Sequence, residues 1–198
     1  MARNRRSFSR KRPTLNYRKR FIVATEGSQT EPCYFSMFNS RNSTVHVVIL
    51  KDRQKTAPGQ VLNRVKRAEK KKGDQVWLVV DRDTWDEGEL NQVFQECVEN
   101  DYSMTLSNPK FEYWLLLHFE DGNNVNAGNC TARLKAHLPA FTKSHVEINK
   151  LKPRVQDAIN RAAQKDTPAC PNWPRMTGTT VYRLVRELQN AANGQKKN

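Results

Sequence analysis

The stretch Gln75-Val76-Trp77-Leu78-Val79-Val80-Asp81-Arg82-Asp83-Thr84 decides how the rest of this chain is read. Five apolar residues in a row suit a strand buried on both faces, and the run stops abruptly in charge. Successive side chains on a strand point to opposite faces. Asp81 and Asp83 therefore share one face, with their carboxylates roughly 6–7 Å apart at the backbone, a gap into which a hard cation fits. An earlier run, Phe21-Ile22-Val23-Ala24-Thr25, ends the same way in Glu26-Gly27. Ligands of open α/β sheets bind beyond the carboxyl ends of the strands, so Glu26, Asp81 and Asp83 gather at one place if the two strands are neighbours. Acids collected there point to metal-assisted phosphoryl chemistry.

Outward from these two strands the pattern alternates. After Glu26 comes a short helix in which Thr30 is placed to cap and Pro32 to occupy the first turn, with Cys33, Tyr34, Met37 and Phe38 as its apolar stripe. Val45–Leu50 reads as a second strand. Pro58-Gly59 breaks the chain, and a helix is expected from Gln60 to Lys72, stopped by Gly73. Its basic residues, Arg64, Arg67, Lys70, Lys71 and Lys72, are candidates for phosphate contact; a merely solvated face is the competing reading. Gln75–Val80 is the third strand, Leu90–Glu99 the next helix, Tyr102–Leu106 a fourth strand and Phe111–Phe119 a densely apolar helix. This βα alternation predicts a mostly parallel sheet covered by helices over residues 20–120. From residue 121 to 198 no strand signal is visible. Thr131–His137, Lys152–Gln164 and Thr180–Ala192 suggest a helical extension packed on the sheet, with Val181, Leu184, Val185 and Leu188 as one buried face.

Composition narrows the partners. The net charge is +14, and residues 1–20 hold nine Arg or Lys and no acid, so most of the excess sits in what reads as a disordered basic arm over residues 1–19. An anionic partner is implied, nucleic acid above all, with the arm serving as an electrostatic tether rather than a reader of sequence. No apolar run is long enough to span a bilayer, and no apolar core follows the basic start as in a signal peptide; the expected location is the cytoplasm, away from membranes. Cys33, Cys97, Cys130 and Cys170 form no C-x-x-C pair, and the four His have no ligand spacing with them. Structural zinc and a disulfide framework are not expected.

Other residues carry a functional and a plain reading. Glu112 is the best candidate for a further acid at the site, with Glu31 next. His118 lies six residues beyond Glu112, about 600° around a helix, so the two do not share a face. A hydrogen-bonded structural His is the simpler reading. Asn108 suits a turn, and Trp85 is read as structural, with stacking on a base as its alternative.

Finer detail brings a family into view. Glu26-Gly27-x-x-Thr30-Glu31-Pro32-x-Tyr34-Phe35, Asp81-x-Asp83, Ser107-Asn108-Pro109-x-Phe111-Glu112-x-Trp114-Leu115-Leu116-Leu117-His118-Phe119 and Thr179-Thr180-Val181-Tyr182 together resemble the RloB-like family of prokaryotic defence proteins. That family is of Toprim type, an α/β fold shared by topoisomerases, bacterial primases and several nucleases. The resemblance implies a Mg²⁺-dependent endonuclease, with Mn²⁺ able to replace Mg²⁺, that acts on RNA, tRNA or DNA in anti-phage defence under the control of a partner ATPase. It assigns Glu26 as general acid or base and Asp81 and Asp83 as metal ligands, the three forming the metal site with Glu112 nearby.

Three other readings compete. Asp81-Arg82-Asp83-Thr84 is similar to the nucleophile motif of haloacid-dehalogenase phosphatases, in which the first Asp attacks phosphorus. That motif normally opens its domain, whereas here it follows two βα units. A receiver-like phospho-acceptor domain would need an acid pair after the first strand. A basic binding protein without catalysis explains the charge and leaves the placement of the acids unexplained.

Overall fold

The computed structural model describes residues 18–40, 43–54, 57–82 and 85–194, so Asp83 and the arm through residue 17 lie outside the described residues. The first half runs β1 (Lys19–Thr25), α1 (Thr30–Ser36), β2 (Val45–Leu50), α2 (Pro58–Arg67), β3 (Gln75–Asp81), α3 (Glu87–Glu99), β4 (Ser103–Asn108) and α4 (Phe111–Leu116). It continues with α5 (Cys130–His137), α6 (Ile148–Leu151), α7 (Val155–Lys165), β5 (Gly178–Thr179) and α8 (Val181–Gly194). Among the described residues no helix is long and apolar enough to cross a membrane.

The sheet order is β2-β1-β3-β4-β5, parallel except for the last strand. The expected α/β class, the mostly parallel sheet and the helical C-terminal region are all present. Strand alternation explains why the strands read as unbroken apolar runs. Phe21, Val23, Val45, Val47, Trp77 and Val79 face a core built with α1, α4, α5, α7 and α8. Ile22, Ala24, Val76, Leu78, Val80 and Leu106 face a second core under α2 and α3. Both faces are dry, so a polar residue every second position would have been buried at a cost.

Topology fixes where a ligand can sit. From β1 the chain moves outward to β2 through α1 on one face; from β3 it moves the opposite way to β4 through α3 on the other face. The order reverses between β1 and β3, which opens a crevice at their carboxyl ends. Residues Thr25 and Val79 are paired there, and the Glu26 amide extends the ladder by donating to the Val79 carbonyl at 3.0 Å.

Three boundaries differ from expectation for identifiable reasons. Helix α2 starts at Pro58, which occupies its first turn rather than breaking the chain, and ends at Arg67, because Ala68 is extended (φ −71°, ψ 143°). The Lys70 ammonium bonds the carbonyls of Val65, Lys66 and Ala68 and closes the helix before the run of lysines. Thr30 is the first residue of α1 and does not cap it: its hydroxyl donates to the Lys143 carbonyl at 3.0 Å. Residues 121–198 are not purely helical either. Gly178 and Thr179 add an antiparallel strand to β4, with the Thr180 amide on the Leu106 carbonyl and the Leu106 amide on the Thr180 hydroxyl, both at 2.9 Å. A two-residue strand has no periodicity to read, which is why the sequence shows no sign of it.

Candidate functional site

Four acids, Glu26, Glu31, Asp81 and Glu112, line one cavity of about 780 Å³ at the crevice. Glu26 leaves the end of β1 and turns across to β3. Its Oε2 accepts from the backbone amide of Asp81 at 2.9 Å, and its Oε1 accepts from the Trp85 indole at 3.0 Å. Two of the three distant acids are thus neighbours, and Trp85 holds one of them in place instead of merely covering the sheet. The backbone beneath is tied as well: Arg64 donates to the carbonyls of Thr25 at 2.9 Å and Leu50 at 3.1 Å, and the Thr25 hydroxyl donates to the Gly27 carbonyl at 2.7 Å.

Glu31 comes from the first turn of α1 and reaches back, accepting from the Gly27 amide at 2.9 Å. A Cβ at Gly27 would collide with the Glu31 carboxylate, so only glycine lets the two approach. Glu31 and Glu112 are 5% and 7% exposed. Burial pushes the Glu31 carboxyl up to about 7, with Glu112 and Glu26 adding to the rise against the amides of Glu31 and Gly27. Asp81 lies well above the usual carboxylate range, first through burial and then through Glu31 and Glu26. Among the described residues its Oδ1 is buried and has no hydrogen-bond partner.

A buried, orphaned carboxylate oxygen among other acids is unfavourable in the protein alone, and a divalent cation would relieve it. The donors are all oxygens, which suits Mg²⁺ or Mn²⁺. Among the described residues no group of three or more His, Cys, Asp or Glu is arranged to hold a metal ion on its own. Asp83, the expected second ligand, is outside the described residues; bound water and phosphate would make up the rest of the shell, as Mg²⁺ commonly retains several waters.

The helical region also builds the site. Thr131 and Lys135, one turn apart on α5, and Lys143, in the turn tied to Thr30, form a wall of the cavity, with Lys110 at the start of α4. Sequence reasoning misses these cations because they are single lysines scattered over more than thirty residues, with no local pattern. The expected basic residues around α2 do not line the cavity. Lys70, Lys71 and Lys72 precede β3 and so stand at the amino ends of the strands, roughly 20 Å along a seven-residue strand from the acids. Arg64 is directed at backbone carbonyls and Lys70 at the helix end; Arg67, Lys71 and Lys72 are exposed.

His118 is not at the site. It is buried, with Nδ1 3.1 Å from the Trp114 carbonyl and Nε2 3.2 Å from the Tyr34 hydroxyl. A carbonyl only accepts, so Nδ1 carries the proton and Tyr34 donates to Nε2. Burial lowers its pKa to about 4 and keeps the ring neutral. Asn108 is structural too, donating to the carbonyls of Pro174 and Arg175.

Comparison with known proteins yields no match among curated proteins and none among solved structures. The family model described as RloB-like protein matches residues 21–188, a span that takes in Glu26, Glu31, Asp81, Asp83 and Glu112 together with the lysine wall. The chain therefore belongs to the RloB-like family.

Proposed function

We propose that this RloB-like chain is a Toprim-type endonuclease that uses Mg²⁺ or Mn²⁺ to hydrolyse phosphodiester bonds in RNA, tRNA or DNA. The observation that carries this reading is the meeting of Glu26 and Asp81 in one cavity, with the Asp81 Oδ1 buried and without a hydrogen-bond partner among the described residues. Asp81 and Asp83 would hold the metal, with Glu31 or Glu112 supplying a further oxygen. Bound there, the metal would neutralise charge building on the phosphate and make a water more acidic. Glu26 serves as general base. The Asp81 amide and the Trp85 indole each donate to one oxygen of its carboxylate and fix its direction. The role in prokaryotic defence and the controlling ATPase rest on the family resemblance.

The test is incubation of the purified protein, with its ATPase partner supplied, with Mg²⁺ or Mn²⁺ and a panel of single- and double-stranded DNA, tRNA and other RNA. Cleavage should appear and should vanish in Asp81→Asn. No cleavage of any member refutes the proposal. The strongly positive chain favours one other reading, a nucleic-acid-binding protein without catalysis. Asp81→Asn separates the two: a pure binder has no Mg²⁺-dependent cleavage to lose, and binds as well or better with one negative charge fewer.

A further inference from the structure

The geometry points to a single nucleic-acid strand, not a duplex, as what enters the acid cavity, held through its phosphates by Lys110, Lys135 and Lys143. This deepens the nuclease reading and rests on it for the identity of the site. Three observations converge.

First, the acids are recessed. Glu31 and Glu112 are almost out of contact with solvent, and the Asp81 Oδ1 is fully covered. A phosphate must come into the cavity to meet them. Second, the cavity of about 780 Å³ is walled on one side by α5 and the turn at 141–145, and that wall is braced by the Thr30–Lys143 bond and by buried Leu134 and Leu138. Such a space lies within the range of small-ligand pockets, roughly 300–1,000 Å³, and holds only a few nucleotides. A duplex keeps each phosphate on a stiff cylinder with the paired strand alongside; a single strand bends in.

Third, the cations of the cavity are not spent on its anions. Among the described residues none of Lys110, Lys135 and Lys143 is in an ion pair, although each shares the cavity with four carboxylates. Other cations of the molecule do close onto acids, as in Lys66–Glu96, Arg133–Glu120, Arg161–Asp121 and Arg183–Asp166. Lysines standing over acids without closing onto them leave positive charge for a polyanion above and negative charge for a cation below. A chain of phosphates with a bound divalent ion matches both at once.

The experiment measures binding by fluorescence anisotropy, using the full chain carrying Asp81→Asn in the absence of divalent metal, so that no substrate is consumed. The probes are single-stranded RNA, single-stranded DNA of the same sequence, and the two corresponding duplexes. Single strands should bind at least about tenfold more tightly than duplexes, the RNA and DNA arms showing whether the sugar matters. Adding Lys135→Glu and Lys143→Glu should weaken single-strand binding by about tenfold and flatten its salt dependence by about 1.4 in log–log slope, two contacts at about 0.7 each. Lys71→Glu with Lys72→Glu, at the far edge of the sheet, should leave the preference for single strands intact. Equal affinity for strand and duplex overturns the inference, and so does a single-strand affinity indifferent to Lys135 and Lys143. A protein that prefers strands here but cuts nothing with Mg²⁺ keeps this inference and loses the hydrolase. One that cuts duplexes as readily as strands loses this inference and keeps the hydrolase.

Discussion

Replacing Glu31 by glutamine asks whether the site is electrostatically crowded before any cation arrives. The Glu31 carboxyl has a pKa of about 7 in the folded protein against an ordinary value of 4.5. Between those values the folded chain keeps a proton that the unfolded chain has released. The stability tied to this carboxyl is therefore complete below pH 4.5 and is lost as the pH rises through 7. That gap is worth on the order of 3 kcal/mol. His118 works in the opposite direction, because its neutral buried ring is disfavoured as the pH falls from 6.5 through about 4. The two trends partly cancel in the native protein, so the informative quantity is the difference between variant and wild type, from which His118 drops out. The side-chain amide introduced by Glu31→Gln can still accept from the Gly27 N–H but holds no charge. Urea unfolding, followed by tryptophan fluorescence in EDTA, should show Glu31→Gln gaining on wild type by about 3 kcal/mol between pH 4.5 and 7.5. Millimolar Mn²⁺ should narrow that gain by stabilising the charged wild-type site. A difference that is flat with pH would show that Glu31 ionises as an ordinary surface acid, and the crowded site would be refuted.

Other perturbations separate positioning from folding. Trp85→Phe keeps an aromatic ring and removes the donor to Glu26; the proposed nuclease activity should fall by about 10–100-fold while the unfolding midpoint barely moves, as read by cleavage and urea titration. Arg64→Met keeps the apolar stem and leaves the Thr25 and Leu50 carbonyls without their charged donor, which should cost about 1–3 kcal/mol in urea unfolding and slow cleavage as the end of β1 loosens. Thr180→Ala strips the partner from the buried Leu106 amide and should cost about 1–3 kcal/mol, measured in the same way.

Much of the frame is legible in the sequence because its strands are dry on both faces. Residues 21–24 and 76–80 stand out as unbroken apolar runs, Val45–Leu50 is apolar except for the exposed His46, and acids beyond the first two mark the crevice between β1 and β3. Glu31 and Glu112 can be singled out as acids in otherwise apolar helices, but not that burial raises the Glu31 carboxyl, since that depends on how the fold covers it. What escapes notice depends on contacts between distant segments. The lysine wall joins residues from α4, α5 and a turn, and strand β5 is too short to carry a pattern. The position of the lysine run after α2 is illegible for a related reason: composition shows that a helix is basic but not which end of the sheet that charge reaches.

The strand at Gly178–Thr179 has a bearing on when the site can exist at all. Without it, β4 presents an open row of amides and carbonyls next to the strand that carries Asp81, an edge that invites pairing with other chains. A polypeptide halted at Gly128 would contain every acid of the crevice, yet it would lack Lys135, Lys143 and the segment that seals the sheet. The cavity is thus completed late in synthesis, and a nascent or prematurely ended copy holds the acids without the framework that closes around them.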